Sequence, residues 1–98
     1  MARVRLWLHP AAIIEAADAA RWYRQRNEEA AEAFLTALES AIDHIAEAPL
    51  QYPLYSAGTR RCRLRRFPFS IIYRLTGNEI QVLAVAHTRR RPAYWTDR

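Results

Sequence analysis

The spacing of apolar residues in the first quarter of the chain changes from a period of two to a helical period. Residues 3–8, RVRLWL, alternate Val4, Leu6 and Leu8 with Arg3, Arg5 and Trp7, as a strand with one buried face does. Pro10 then fits the first position of a helix, because its missing N–H costs nothing there and its φ angle is already helical. We expect this helix to end at about Arg26. Its predicted buried face consists of Ile13, Ala16, Ala17, Ala20 and Tyr23.

The next segment predicts a second helix. Asn27 fits the N-cap position, and Glu28 and Glu29 follow in the first turn, where the helix dipole favours negative charge. Pro49 ends the helix near Ala48, because the residue before a proline resists the helical conformation. The predicted apolar stripe consists of Phe34, Leu38, Ala41, Ile42 and Ile45. Since the connection is so short, the two helices must form an antiparallel hairpin.

After a proline-rich crossing loop at residues 49–58, the apolar pattern returns to a period of two. Residues 60–67, RRCRLRRF, place Cys62 and Leu64 on one face, which predicts a strand that is buried on one side only. The arginines of the other face are Arg61, Arg63 and Arg65. Such a row suits a partner-binding surface, and it equally suits a solvated face whose charge discourages pairing between molecules.

Two more strands complete the predicted sheet. The segments FSIIYRL and EIQVLAVAH flank Gly77-Asn78, a two-residue hairpin signal because both residues tolerate positive φ angles. Pro68 cannot donate a ladder hydrogen bond, so we expect it at a bend or an edge. The element order is therefore β-α-α-β-β-β, an α+β fold with a two-helix hairpin on one face of a largely antiparallel sheet. With 98 residues, we expect residues 1–98 to form a single domain.

Charge is distributed unevenly along the chain. Residues 1–56 carry a net charge of −3 and residues 57–98 one of +8, although all fifteen basic residues are arginines. A basic half of this kind attracts anionic partners, either nucleic acid or acidic protein segments.

Composition excludes several classes of site. No apolar stretch is long enough to span a bilayer and the first residues lack a secretory signal, so we expect a cytoplasmic protein with no membrane association. Cys62 is the only cysteine, and its spacing from the three histidines is not that of a zinc site. Gly58 and Gly77 are too far apart to form a phosphate-binding loop. We therefore expect neither a metal nor a cofactor.

Three segments of the sequence resemble the ParE/RelE toxin superfamily of bacterial type II toxin-antitoxin modules. The motifs are RCRLRRFPF at residues 61–69, IIYR at 71–74 and AVAHTRRRPAYW at 84–95. The helical segment at residues 30–53 also resembles the family, and the C-terminal hairpin is most similar to the ParE branch. The resemblance thus spans nearly the whole chain.

The resemblance implies a toxin with a RelE/ParE-like fold, neutralised by a cognate antitoxin whose acidic or amphipathic C-terminal segment wraps it in a hetero-oligomer. In the ParE branch it implies inhibition of DNA gyrase by binding, in the context of plasmid stabilisation. In the RelE branch it implies a ribosome-dependent endoribonuclease that cuts mRNA. A third interpretation is a basic nucleic-acid-binding module, although no recognition helix or stacking platform is evident.

Nuclease chemistry needs a base, an acid and cations that hold the phosphate. Arginine suits only the last of these roles, because its pKa is above 12. The candidate catalytic residues are His87, Tyr94 and Arg65, with Tyr73 as a further hydroxyl. His87 ends a strand and shares a face with Leu83 and Val85 by alternation, so it also suits a capping role. RelE-type nucleases carry arginine where this chain has Thr88. We therefore favour binding over enzymatic activity.

Two contact surfaces are predicted. The predicted target-binding residues are Arg89, Arg90, Arg91, Tyr94 and Trp95. For Trp95 alone, we favour folding back onto the core over a contact role. The predicted antitoxin-binding residues are Arg61, Arg63, Arg65, Trp22 and Tyr23.

Overall fold

In the computed structural model, which describes residues 5–98, two helices cover one face of a four-stranded mixed sheet. The helices are α1 (Pro10–Arg24) and α2 (Glu28–Glu47), and the strands are β1 (Arg5–Leu8), β2 (Arg60–Arg63), β3 (Phe69–Thr76) and β4 (Glu79–His87). The strand order is β1-β4-β3-β2, with β1 parallel to β4 and the other pairs antiparallel. The predicted element order is confirmed, while residues 3 and 4 of the first predicted strand lie outside the described residues.

The predicted signals at the helix N-termini are confirmed. Pro10 begins α1, and Nδ1 of His9 accepts a hydrogen bond of 3.0 Å from the backbone N–H of Ala11. Oδ1 of Asn27 accepts one of 3.2 Å from the N–H of Ala30, which satisfies a donor in the first turn of α2. The first helix ends two residues before the predicted Arg26.

The predicted buried face of α1 is only partly correct. Ile13 is 53% exposed and Ala17 is also exposed, whereas Ala12 and Ala19 are buried. The face that packs on the core consists of Ala12, Ala16, Ala19, Ala20 and Tyr23. Alanine residues lie on most sides of this helix, so its sequence alone does not determine which side faces the core. Packing against α2 and β4 selected the side with the smallest residues, which permits close approach.

The β3–β4 hairpin forms at the predicted turn. Gly77 adopts a φ angle of +59°, and Asn78 is not among the residues at positive φ. Farther along the hairpin, Ile72 pairs with Ala84 and Tyr73 pairs with Val82, so Leu83 is an extra residue on β4. This β-bulge breaks the period of two. Val85 packs on the helix side while Leu83 packs on the opposite face, which corrects the prediction that both share a face with His87.

The sheet is buried on both of its faces. The larger core cluster lies between the helices and the sheet and includes Phe34, Ile45, Tyr73 and Val82. On the other face, a smaller cluster of Ile72, Leu83, Ala84 and Ala86 is covered by Trp95. The residues after β4 therefore form a second covering layer, which the strand patterns did not predict.

Candidate functional site

The C-terminal residues 88–98, called the tail below, fold back over the sheet. Trp95 is only 3% exposed, and its ring stacks on that of Tyr55 with the ring centres 5.6 Å apart. The folded-back alternative given for Trp95 is what the structure shows, and its buried ring is not a contact surface in this conformation. Arg89, Arg90 and Arg91 remain exposed at the start of the tail.

Glu15 of α1 holds the tail in place. Its Oε2 accepts a hydrogen bond of 2.7 Å from the Tyr94 hydroxyl, and its Oε1 accepts one of 3.0 Å from the backbone N–H of Val85. The Arg98 guanidinium donates to both carboxylate oxygens, at 2.9 and 3.1 Å, and also to the Leu83 carbonyl at 3.0 Å. Both side chains of this ion pair are more than four-fifths buried. One carboxylate therefore joins helix, strand and tail.

A small cleft of about 130 Å³ lies between the tail and β2, on the face of the sheet away from the helices. We call it the tail-side cleft. It brings together residues that the sequence assigned to different surfaces, because Arg61 and Arg63 come from β2 and Arg90 from the tail. The other lining residues are Tyr55, Ser70, Ile72, Ala86, His87, Thr88, Pro92, Tyr94 and Trp95.

The predicted row of three arginines is shorter than expected. Cys62 packs among the helix-side core residues, so Arg61 and Arg63 project from the opposite face of β2. Arg65 lies beyond the end of that strand, in the turn before β3, and is exposed without lining the cleft. The strand ends at Arg63, and the chain then turns toward β3 through Arg66, whose φ angle is +57°.

A larger groove of about 390 Å³, the helix-side groove, lies between α1 and the C-terminal end of β4. Trp22, 51% exposed, lines it together with Tyr23. Tyr23 itself belongs to an aromatic cluster, with ring centres 5.3 to 5.4 Å from those of Phe34 and Phe67. Of the two predicted contact residues, Trp22 is about half exposed, whereas Tyr23 is largely packed within this cluster. Desolvation by burial also raises the pKa of Tyr23.

His87 caps the end of β4, as the structural interpretation expected. Its Nδ1 accepts a hydrogen bond of 3.0 Å from the backbone N–H of Arg89, and its ring meets that of Phe69 edge to face. Phe69 in turn packs on Phe34 of α2. His87 lies at the end of the sheet and lines both the helix-side groove and the tail-side cleft, where Arg61 and Arg63 also lie.

The tyrosine hydroxyls considered for proton transfer are both engaged. Burial and the hydrogen bond to Glu15 raise the pKa of Tyr94 well above its ordinary value. Burial raises the pKa of Tyr73 to about 12, and its hydroxyl donates to the Pro49 carbonyl. Neither hydroxyl is placed to act as a base near neutral pH.

Within residues 5–98, no group of three or more His, Cys, Asp or Glu side chains is arranged to hold a metal ion. The helices of the same part of the chain are too short or too polar to cross a bilayer.

Three residues that build this region were missed in the sequence. Glu15 carried one signal, since it is the single charged residue within the apolar stretch AAIIEAA. Tyr55 and Arg98 carried none, because their roles depend on a tail that folds back across the sheet.

Comparisons with known proteins agree with this architecture. The family model of the ParE toxin of type II toxin-antitoxin systems, parDE, matches residues 6–92. A chain of the solved chromosomal ParDE TA system from P. aeruginosa superposes with a TM-score of 0.76 at 22% identity, over 87% of this chain and 96% of that one, and so shows the fold. A search of curated proteins found no match. The chain belongs to the ParE toxin family of type II toxin-antitoxin systems.

Proposed function

We propose that this ParE toxin inhibits DNA gyrase by stoichiometric binding through the exposed start of the tail, and that a cognate antitoxin neutralises it in a hetero-oligomer. Membership of the family supports the toxin class. Under this proposal, the toxin meets both gyrase and the antitoxin in the cytoplasm. The contact residues proposed for gyrase are Arg89, Arg90, Arg91 and the partly exposed Tyr94, with Trp95 as the buried support beneath them.

One observation carries the choice of binding over RNA cleavage. The candidate base His87 is engaged within the fold, because its Nδ1 accepts a hydrogen bond from the backbone N–H of Arg89 and its ring packs edge to face on Phe69. A base must lie within hydrogen-bonding reach of the hydroxyl that it deprotonates while the cations hold the adjacent phosphate. A neutral imidazole has a single acceptor nitrogen, and that of His87 is already used by the Arg89 N–H, so the ring has no free lone pair to act as this base.

The second candidate acid or base, Tyr94, supports the same choice. It lines the tail-side cleft, but its hydroxyl donates to Glu15 and its ring lies beneath the guanidinium of Arg90, 4.1 Å from the ring centre. To take part in catalysis, this hydroxyl would have to break its hydrogen bond to the largely buried Glu15 carboxylate. Arg65, the third nuclease candidate, lies outside the cleft.

For the antitoxin, we propose contacts on two surfaces. The exposed ring of Trp22 at the helix-side groove suits an apolar side chain, and the arginines Arg61, Arg63 and Arg65 suit acidic ones. Tyr23 supports Trp22 from below, with the ring centres 5.1 Å apart.

The test is a supercoiling assay with purified gyrase and the purified toxin. We expect inhibition by the toxin, and we expect the double variant Arg89→Gln/Arg91→Gln to raise the half-inhibitory concentration by about tenfold or more, as loss of arginine anchors at an interface does. Arg24→Gln is the matched control, because Arg24 is exposed on α1, away from the tail, and pairs with Glu28.

Expression of the toxin in bacteria provides the opposing outcome. DNA breaks and filamentation are expected first. If translation stops instead, with mRNA cleaved on ribosomes and supercoiling unaffected, the gyrase proposal is wrong and the ribonuclease alternative replaces it.

A further inference from the structure

The tail-side cleft concentrates positive charge that the described chain does not neutralise. Arg61, Arg63 and Arg90 line it, and none of them forms an ion pair within residues 5–98. The ion pairs of that range use Arg21, Arg24 and Arg98 instead. Three cations around a small cavity repel one another, and a bound anion relieves that repulsion.

Two of these guanidinium groups are held in place by aromatic rings. The guanidinium carbon of Arg61 lies 4.3 Å from the ring centre of Tyr55, and that of Arg90 lies 4.1 Å from the ring centre of Tyr94. Stacking leaves the edge N–H groups of arginine available for hydrogen bonds. The donors are therefore ordered before any partner arrives.

A buried donor borders the same cleft. Nε1 of Trp95 is buried and has no acceptor among residues 5–98, although Trp95 lines the cavity. Most buried N–H groups in proteins are paired. Trp95 therefore carries a donor that no residue in this part of the chain uses.

The cleft favours a carboxylate over a nucleic acid. Its volume of about 130 Å³ is ample for a carboxylate. Single-stranded nucleic acids bind by stacking their bases on free aromatic faces as well as by charge. Here Tyr55 is already covered by Trp95 and Arg61, and Tyr94 by Arg90.

We propose that the tail-side cleft binds the carboxylate of an acidic side chain from the antitoxin, an inference that rests on the proposed function. Because Arg90 belongs both to this cleft and to the surface assigned to gyrase, an acidic segment seated here blocks the target contact directly. Neutralisation is then competition for shared arginines.

The test follows the Trp95 indole and arginine Nε–H signals of the full chain by nuclear magnetic resonance. The probes are a short glutamate-rich peptide, its glutamine counterpart and inorganic phosphate. We expect saturable shifts at Trp95 and Arg61 with the glutamate peptide alone, and binding that weakens as salt rises. Arg63→Gln should weaken it about tenfold, as loss of a charge-assisted hydrogen bond does.

Arg66→Gln is the matched control, because Arg66 is exposed in the neighbouring turn and does not line the cleft. Equal weakening by both variants, tighter binding of phosphate, or no saturation by the glutamate peptide would each overturn the proposal. The supercoiling assay distinguishes failure of this proposal from failure of the proposed function. If the peptide binds but the toxin does not inhibit gyrase, the carboxylate site stands and only the proposed target is wrong.

Discussion

At the scale of single residues, the carboxylate of Glu15 connects parts of the chain that are far apart in sequence. It accepts hydrogen bonds from Tyr94, Arg98 and the Val85 backbone. The N–H of Val85 would otherwise lie at a free strand edge, because β1 pairs with β4 only as far as Val82. Glu15 thus accepts a hydrogen bond from a backbone donor that no strand pairs with, and the same carboxylate fixes the tail.

Replacing Glu15 with glutamine tests this role. Glu15→Gln removes the charge that holds Arg98, leaves a largely buried guanidinium without its counter-ion, and should lower the free energy of unfolding by about 2 kcal/mol. Urea denaturation measures the loss. The control Glu32→Gln, on an exposed face of α2, should change stability by less than about 0.5 kcal/mol. Equal stability of the two variants would show that the carboxylate does not anchor the tail.

At the scale of secondary-structure elements, the β3–β4 hairpin determines which side chains reach each face of the sheet. Its tight turn sets the register from Thr76 and Glu79 onward, and the bulge at Leu83 then reverses the alternation. As a result, Leu83 joins the cluster beneath Trp95 while Val85 packs in the core on the helix side. The hairpin therefore determines which side chains of β4 lie beneath the tail.

The turn of this hairpin gives an element-scale prediction. A Cβ atom at Gly77 would meet no other atom within 4 Å, so substitution there strains only the backbone, whose φ angle is +59°. Gly77→Ala should lower the free energy of unfolding by about 1 kcal/mol, and Gly77→Asn by less, because asparagine tolerates positive φ. Thermal and urea denaturation compare the two. Asparagine as costly as alanine would mean that the turn is not limited by this φ angle.

At the scale of the whole molecule, burial shifts the pKa of four tyrosines and of the single cysteine in the same direction. Burial raises the pKa of Tyr23, Tyr52, Tyr73 and Tyr94, and also that of the Cys62 thiol. The chain has no lysine, so no ammonium group titrates in the same range. Above pH 10, unfolded tyrosines release protons that the folded ones retain, and stability must fall as pH rises.

We therefore expect the free energy of unfolding to be constant with respect to these tyrosines below pH 10 and to fall as pH rises to about 12, the pKa of Tyr73. The slope is at most about 1.4 kcal/mol per pH unit for each tyrosine. Urea midpoints measured across this range check it. Tyr73→Phe should have a shallower slope, and an unchanged slope would show that Tyr73 is not protected from ionisation.

Much of the fold was readable in the sequence because local signals fix local structure. Pro10, Asn27 and Pro49 bounded the helices, and Gly77-Asn78 marked the hairpin. The surroundings of the predicted contact residues were harder to predict. Three consecutive arginines and an alternating row of arginines do not indicate which distant segments pack beside them. The exposed position of Arg65 and the burial of Trp95 both depend on contacts between distant segments.

By itself, the sequence determined the order of helices and strands, the basic character of residues 57–98 and the family, because periodicity, caps and turns act over a few residues. Tertiary structure decided the rotation of α1, the bulge at Leu83 and the folding of the tail onto the sheet. These depend on packing and on the ion pair between Glu15 and Arg98, groups separated by most of the chain. The cleft between Arg61, Arg63 and Arg90 exists only after those contacts have formed.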